Sequence, residues 1–327
     1  IGREASWAGG GIVSPLYPWR YPPAVTALSR EARAAYPALC KALHAATGID
    51  PEFTPTGLLM LDAVDATEAL QWSAAGDEQM QTLSTSDLAA GYPWLASHWR
   101  QGLWMPSIAN VRNPRLLKAL AADLVRRGVT LVTHAAVRGL QWRGPRAVAV
   151  QLADGRAYPA EVIVLAGGAW TSRLLLAGEA VPAVRPVRGQ MLLYRVAPGQ
   201  LPCIVLAEGR YVIPRRDGHV LCGSTLEERG FDVSVTAAAR DSLQASAARL
   251  LPALARAQPV AQWAGLRPAT TDGLPYIGRV EGTDNVWLNT GQFRNGLVLA
   301  PASARLLAEL MTGAAPFIDP TPYRCPR

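Results

Sequence analysis

The sequence is poor in the features that mark several classes of protein. Its four cysteines, Cys40, Cys203, Cys222 and Cys325, lie far apart, without a CxxC pair or a histidine at zinc-finger spacing. Neither a disulfide framework nor a structural metal is therefore expected, and a reducing cytoplasm is the expected location. No apolar run approaches the ~20 residues that a membrane-spanning helix needs. The chain begins at Ile1 without a basic and then apolar signal segment.

Lysine is nearly absent, so arginine carries the formal net charge of +7. The arginines are scattered and form no basic stripe interleaved with aromatic residues, so a nucleic-acid partner is not expected. We interpret the excess mainly as solvated surface, with a few arginines left for anionic substrates. The four histidines stand in no recognisable metal or triad motif, and GxSxG and HExxH are absent. Hydrolases and metalloenzymes are disfavoured, and no metal ligand is assigned.

The first half of the chain has helical and extended patterns in alternation. Apolar spacing predicts a helix over 23–47, with Pro37 expected to interrupt it. A strand is predicted over 56–62, and a helix over 113–128 with an asparagine cap at its start. The run "VTLVTH" (129–134) is predicted to form the next strand.

The second half changes character. Asp154-Gly155 predicts a hairpin, and the apolar run 161–170 predicts a strand of the buried kind. Short strands follow, two of them joined through 216–218, and then a helix near 236–251. The segment 263–278 is predicted to be rich in loops, before a last strand and helix. These α/β and antiparallel patterns alternate along the 327 residues, which predicts two interleaved domains built from separated pieces of chain.

Three glycine-containing segments are candidate ligand sites. Gly9, Gly10 and Gly11 allow a close backbone approach, but a flexible turn explains them equally well. The glycine pair in "VLAGGAW" (164–170) follows a strand end, where ligands bind in open sheets, although a tight turn would have the same sequence. Asn295 and Gly296 open an apolar helix whose first N–H groups could face an anion, or could simply be capped within the core.

Three polar residues in apolar surroundings are candidate substrate ligands. Arg267 and Arg294 could hold a carboxylate, one of them as a bidentate fork, and the hydroxyl of Tyr211 could add a third hydrogen bond. Taken separately, each side chain fits an ordinary surface or salt-bridged position as well.

Longer motifs carry a resemblance to a known family. "WAGLRPATTDGLPYIG", "NVWLNTGQFRNGLVLAPASARLLAEL" and "ASWAGGGIVSPLYPW" closely resemble the glycine oxidase branch of the D-amino-acid-oxidase family of flavoproteins. The resemblance implies a mixed α/β fold, in which a Rossmann-like FAD-binding domain (1–22, 103–185 and 261–327) is interleaved with an antiparallel substrate domain (23–102 and 186–260). It also implies that FAD binds non-covalently between the two domains.

The resemblance assigns roles to individual residues. Arg267 would anchor the substrate carboxylate, Tyr211 would supply a hydroxyl, and Arg294 would lie near both carboxylate and flavin. The positions that match FAD contacts of the family are Ala5, Ser6, Gly10, Gly11, Ile12, Val137 beside the adenine, Gln292, Phe293, Arg294, Asn295, Gly296, Leu297 and Val298.

The implied reaction is hydride transfer from the α-carbon of a neutral amino acid to flavin N5. The imino acid then hydrolyses, releasing ammonia, while molecular oxygen reoxidises FAD and yields hydrogen peroxide. Glycine, sarcosine and small D-amino acids are the expected substrates, and the product would serve thiamine thiazole synthesis. No side-chain base is required, so catalysis would depend on orientation of the substrate. A homo-oligomer is an open expectation.

The sequence departs from the family pattern in three places. GxGxxG and the acidic residue that holds the ribose are absent, so the resemblance implies that a βαβ start of roughly 30 residues is missing. Many relatives have His where Gln292 stands, and a related enzyme has His near the substrate where this chain has Gly209. The preferred amine cannot therefore be copied from relatives.

Three other interpretations remain open at this stage. One is a D-amino-acid dehydrogenase that passes electrons to an acceptor other than oxygen. Another is a tRNA-modifying oxidoreductase domain, supported only by the net charge of +7. The third is an inactive, truncated binding protein without a cofactor.

Overall fold

The computed structural model describes residues 2–76, 78–174 and 183–325, and within these ranges it has eight α-helices and sixteen strands. The helices are α1 (Ala5–Ala8), α2 (Pro23–Thr47), α3 (Ala66–Ala75), α4 (Thr85–Gly91), α5 (Asn113–Arg126), α6 (Thr171–Leu174), α7 (Ala237–Leu250) and α8 (Gly296–Thr312). The strands are β1 (Thr54–Pro55), β2 (Leu58–Leu61), β3 (Gln81–Leu83), β4 (Gly102–Met105), β5 (Ala109–Asn110), β6 (Val137–Arg143), β7 (Arg146–Leu152), β8 (Ala157–Pro159), β9 (Ile163–Leu165), β10 (Arg185–Arg195), β11 (Ile204–Ala207), β12 (Arg210–Pro214), β13 (His219–Gly223), β14 (Ala261–Ala269), β15 (Tyr276–Arg279) and β16 (Val286–Thr290).

The largest sheet has eight strands in the order β14-β10-β13-β12-β11-β2-β4-β3. All its pairs are antiparallel except β11 with β2. Strand β14 lies at one edge and pairs with β10 over nine register positions, including Val187 opposite Arg267. The prediction that 263–278 is rich in loops is therefore wrong at both ends, since 263–269 belongs to β14 and 276–278 begins β15. Pairing with β10 gives the first of these segments a hydrogen-bonded ladder that local propensity does not reveal.

A second sheet, β15-β16-β9, lies next to α8. Strand β9 is parallel to β16, as its position in an α/β unit predicts. It is shorter than the predicted run 161–170, and Val164 is 41% exposed between the buried Ile163 and Leu165. The prediction of a strand buried on both faces is therefore wrong on one face.

The segment "VTLVTH" (129–134) is not a strand in the structure. Val129 and Val132 are exposed, and none of the residues that the structure describes pairs with this segment. A strand needs a hydrogen-bonded neighbour, so a β-branched run alone does not form one.

Helix α2 continues through Pro37 without a break, which corrects the predicted interruption. The helix packs against α5 and α8, and the Tyr36 hydroxyl donates to the carbonyl of Leu297 in the first turn of α8. The free energy gained by packing this helix outweighs the cost of the backbone hydrogen bond that Pro37 cannot form. Helix α5 begins as predicted near Asn113, but Arg112 is the cap residue and the Asn113 amide donates instead to the Ser6 carbonyl.

The two predicted turns and the predicted helix near 236–251 are confirmed, and the structure adds two helix caps that were not predicted. The turn between β7 and β8 contains Gly155 at φ +90°, and the turn between β12 and β13 contains Gly218 at φ +84°. Thr236 caps α7, because its Oγ1 accepts from the N–H of Ala239 at 3.2 Å. Gly313 ends α8 in the left-handed conformation.

The mixed α/β architecture with a large antiparallel sheet agrees with the predicted fold class. The domain boundaries stay a prediction: α2 packs on α5 and α8, and β14 pairs with β10, so contacts cross the predicted boundaries at both places. In the described ranges, no helix combines the length and apolar character that crossing a bilayer requires.

Candidate active site

A cavity of about 490 Å³ lies between the glycine turn after α1, strands β10 and β14, and the start of α8. It brings together segments that are nearly 300 residues apart in the chain. The predicted site residues that line it are Ala5, Ser6, Gly10, Gly11, Ile12, Tyr211, Arg267, Gln292, Phe293, Arg294, Gly296, Leu297 and Val298. The described lining does not include the predicted Asn295 or Val137.

The glycine turn is fixed in place by hydrogen bonds. Gly11 has φ +84°, and a Cβ built on it would be 2.1 Å from the carbonyl oxygen of Val111. The Gly11 carbonyl accepts from the Val111 N–H at 2.8 Å. Glycine is therefore required here both by backbone conformation and by space, and the alternative of a flexible turn is not what the structure has.

Arg215, at the end of β12, holds the other side of this turn. Its Nη2 donates to the Gly10 carbonyl at 2.8 Å, and its Nη1 donates to Asn110 Oδ1 at 2.7 Å and to the Val111 carbonyl at 3.0 Å. Burial lowers the pKa of this guanidinium to about 10, so it remains charged at neutral pH. Sequence reasoning missed Arg215, although an arginine directly after the buried strand "YVIP" was an available signal.

Helix α8 begins at Gly296, as predicted, and its mouth faces the cavity. A Cβ on Gly296 would contact only Gln292 Cβ, at 3.7 Å, so packing within the protein does not demand glycine here. The missing side chain instead leaves the cavity open toward the first N–H groups of the helix. Asn295 is buried beneath this point, with its N–H on the Gln292 carbonyl at 2.9 Å.

Arg267 is a half-buried cation whose hydrogen bonds go to neutral partners. Its Nη1 donates to the Thr225 carbonyl at 3.1 Å, and its Nη2 donates to Ser224 Oγ at 2.7 Å. No carboxylate among residues 2–76, 78–174 and 183–325 forms an ion pair with it. Burial lowers the pKa of Arg267, and the charge of Arg294 lowers it further, while Tyr211 opposes the shift. A half-buried guanidinium that lines a cavity without a carboxylate partner is suited to bind an anion.

Tyr211 and Arg294 line the same cavity as Arg267. The Tyr211 hydroxyl is 3.6 Å from Met191 Sδ, a weak acceptor, so it can form a stronger hydrogen bond with a ligand. Arg294 is exposed at the cavity mouth and, within the described parts of the chain, has no ion-pair partner. The two arginines and the tyrosine therefore converge on one space, as the sequence predicts.

Two buried polar atoms at the cavity have no hydrogen-bond partner among the described residues: Asn113 Oδ1 and Ser303 Oγ. An unpaired buried acceptor or hydroxyl costs about 1–3 kcal/mol, so a ligand with hydrogen-bonding groups would remove this penalty. With the glycine walls and the helix mouth, these atoms fit a long ligand with hydroxyls and a flat ring, such as FAD. Sequence reasoning missed both residues.

Two further segments predicted to contact a ligand differ in where they lie, one at the cavity and one away from it. Ala166 and Gly168, from "VLAGGAW", line the cavity, so this segment both forms a turn and faces the ligand space. Val137 lies at the start of β6, exposed and away from the cavity lining, and its contact with adenine stays a prediction. Gly189 and Gly265 also line the cavity and were not predicted.

Comparison with known proteins agrees with this geometry. The family model described as DAO, FAD dependent oxidoreductase, matches residues 1–310. A glycine oxidase of Pseudomonas aeruginosa is 53% identical over 324 residues, which cover 98% of this chain and 88% of that protein. The bifunctional protein ThiO/ThiG of Trichormus variabilis is 32% identical over 314 residues, covering 94% of this chain and 47% of that protein.

The same relationship is found among solved structures. The crystal structure of glycine oxidase from Geobacillus kaustophilus has a TM-score of 0.93 at 29% identity, and the match covers 100% of this chain and 90% of that one. The predicted family, fold class and FAD cofactor are therefore confirmed. The chain belongs to the DAO family of FAD-dependent oxidoreductases.

Proposed function

We propose that this enzyme oxidises glycine and other small amines, such as sarcosine and small D-amino acids, to the corresponding imines. The observation that carries the proposal is the half-buried Arg267, which lines the cavity without a carboxylate partner in the described chain. The 53% identity to a protein named glycine oxidase supports the same substrate class.

Three side chains would orient the substrate. Arg267 would bind the carboxylate through a charge-assisted hydrogen bond, and the Tyr211 hydroxyl would donate a second one. Arg294, at the cavity mouth, would add positive charge on the side toward α8. Fixing the carboxylate in this way points the Cα–H in one direction, which lowers the barrier through proximity and orientation.

The glycine turn and the mouth of α8 would hold FAD without a covalent bond. Bound FAD supplies the hydride acceptor and passes the electrons on to oxygen. The residues proposed to contact it are Ala5, Ser6, Gly10, Gly11, Ile12, Gln292, Phe293, Arg294, Asn295, Gly296, Leu297 and Val298, with Val137 beside the adenine. The N–H groups and dipole of α8 would favour negative charge on a ligand at this point.

The products would be hydrogen peroxide and an imine that hydrolyses to glyoxylate and ammonia. Because one relative joins ThiO to ThiG in a single bifunctional protein, we propose that the imine serves thiamine thiazole synthesis. The free, buried thiols of Cys40, Cys203 and Cys222 support a cytoplasmic location. A homo-oligomer and the division into two interleaved domains remain part of the proposal.

A dehydrogenase with another electron acceptor is the alternative within the same family. Turnover with glycine in air, compared with turnover under argon with an artificial acceptor, distinguishes the two activities. The family assignment disfavours the other alternative, a binding protein without a cofactor.

Kinetics of Arg267→Met with glycine test the proposal. Truncating one partner of a buried charge pair costs about 2–5 kcal/mol, so KM should rise by two orders of magnitude or more. Arg305→Met is the control, since Arg305 lies on the exposed side of α8 and pairs with Glu309. An unchanged KM in Arg267→Met would contradict the assignment of the carboxylate site.

A further inference from the structure

The side chains of β10 alternate between the cavity and the opposite face of the sheet. Gly189 and Met191 line the cavity, whereas Arg188 and Gln190 are buried on the other side. On that side their hydrogen bonds go to Glu227 and Thr236, in the loop before α7. One strand therefore contributes to the wall of the substrate space and to a polar network behind it.

The network is centred on Glu227. Its Oε2 accepts from Arg188 Nη2 at 2.6 Å and from Arg188 Nε at 3.2 Å, and its Oε1 accepts from Gln190 Nε2 at 2.9 Å. The Thr225 hydroxyl donates to the same Oε1. Burial raises the pKa of Glu227, but the hydrogen bonds from Thr225, Arg188 and Gln190 outweigh it and lower the pKa overall, so the side chain is a carboxylate.

Thr225 connects this network to Arg267. Its Oγ1 accepts from the Gln190 N–H at 2.8 Å, and its carbonyl accepts from Arg267 Nη1 at 3.1 Å. The backbones of Arg188 and Glu227 also exchange hydrogen bonds, at 2.9 and 3.0 Å. Thr225, whose carbonyl orients the Arg267 guanidinium, is thus held by hydrogen bonds to Gln190 and Glu227.

The ion pairs of the network involve Arg188 and leave Arg267 without a carboxylate partner among the described residues. Arg188, whose side chain is only 3% exposed, forms an ion pair with Glu227 and a second one with Asp232, at 2.5 Å. Glu227 is two residues from Thr225, and its carboxylate pairs with Arg188. Arg267 is left with a backbone carbonyl and the Ser224 hydroxyl, both neutral.

We propose that Arg188, Glu227 and Thr225 are positioning residues for the substrate carboxylate, acting through Arg267. They hold the Thr225 carbonyl that accepts from Arg267, and so keep the guanidinium in a fixed direction. This inference rests on the proposed function, because it takes Arg267 as the carboxylate anchor. None of the three residues is required to touch the substrate or the flavin.

The test is the affinity of the FAD-loaded enzyme for acetate, a carboxylate without an amine, measured through the flavin absorbance change. Glu227→Gln keeps the shape of the side chain but removes the charge that balances Arg188. We expect the dissociation constant for acetate and the KM for glycine to rise about tenfold, with kcat changing less than twofold. The milder variant Thr225→Val should raise both constants about threefold, which covers the case in which Glu227→Gln does not fold.

Two further variants make the test specific. Glu228→Gln is the matched control, because Glu228 is the next residue and forms an exposed ion pair with Arg185. The double variant Arg188→Met with Glu227→Gln removes both charges and should recover part of the acetate affinity, because no unpaired buried charge remains. Acetate affinity equal to that of the unmodified enzyme in both Glu227→Gln and Thr225→Val would overturn the inference.

The proposed function can fail separately. If Arg267→Lys binds acetate normally, Arg267 is not the carboxylate anchor and both ideas are wrong. If Arg267→Lys loses acetate while Glu227→Gln and Thr225→Val keep it, only the positioning role is wrong.

Discussion

The guanidinium of Arg267 lies so close to the backbone of Gly189 that a Cβ at Gly189 would be 2.1 Å from Nη1. Arg267 faces Val187 in the β10–β14 register, so Gly189 is its diagonal neighbour on the cavity side. The absence of a side chain at Gly189 therefore allows the half-buried guanidinium to lie against the sheet at the cavity.

Gly189→Ala should displace Arg267 and weaken substrate binding. Because the new methyl group would overlap Nη1, the guanidinium must rotate away from the Thr225 carbonyl and Ser224 Oγ. We expect KM for glycine to rise at least tenfold, with smaller changes in kcat, measured by steady-state oxygen consumption. Gly139→Ala is the control, since a Cβ there meets nothing within 4 Å. Equal KM values for the two variants would show that this contact does not matter.

Two glycines at the cavity should respond differently to alanine. Gly11→Ala places a Cβ 2.1 Å from the Val111 carbonyl at φ +84°, a strain worth about 1–3 kcal/mol or more in unfolding free energy. Gly296→Ala has only a 3.7 Å contact and an ordinary helical position, so stability should be unchanged or slightly higher. FAD affinity should fall in both variants, because Gly11→Ala distorts the turn that lines the cavity and the methyl group of Gly296→Ala occupies space at the helix mouth. Urea denaturation and flavin retention on gel filtration measure the two effects, and a destabilised Gly296→Ala would refute this distinction.

Arg215→Met should loosen the glycine turn. The change leaves the carbonyls of Gly10 and Val111 and the side chain of Asn110 without their donor, at about 1–3 kcal/mol for each group that stays buried. We expect weaker FAD binding by at least tenfold and a lower unfolding midpoint. Arg215→Lys keeps one charged donor, so its FAD affinity should lie between those of the unmodified protein and Arg215→Met. Fluorescence titration of the apoprotein with FAD gives the affinity. Wild-type affinity in Arg215→Met would show that Arg215 is not needed to hold the glycine turn.

Asp65 should make stability fall at low pH. Hydrogen bonds from Arg20 and Trp19 outweigh burial and lower the pKa of Asp65 to about 2 from an ordinary value of 3.8. The stabilisation is therefore complete above about pH 4 and is lost as the pH falls through 2. Because the Arg20 side chain is 41% exposed, screening by solvent limits the effect to about 1 kcal/mol. Asp65→Asn should remove that part of the pH dependence in urea titrations between pH 5 and 2, and an unchanged slope would contradict it.

Features that depend on nearby residues could be predicted from the sequence. The hairpins at Gly155 and Gly218 follow from local turn chemistry, and the start of α8 follows from the Asn295-Gly296 pair. The convergence of Tyr211, Arg267 and Arg294 came from the family motifs, since nothing in their spacing shows that three distant segments meet.

Features that depend on tertiary partners could not be predicted. Asn113, Arg215 and Ser303 are ordinary residues in sequence, and only the packing of α5, β12 and α8 around one cavity gives them a role. Packing also decided the wrong predictions. Burial of α2 overrides Pro37, and the segment 129–134 has no strand beside it among the described residues.

The most direct test of the central claim is the visible spectrum of the FAD-loaded protein during anaerobic addition of glycine, followed by air. The proposed function predicts that the oxidised flavin bands bleach with glycine and return with air. One hydrogen peroxide should form for each reduced flavin that is reoxidised. Flavin that stays oxidised in the presence of glycine, sarcosine and small D-amino acids would contradict it. Flavin that bleaches but returns only with another acceptor would identify a dehydrogenase instead.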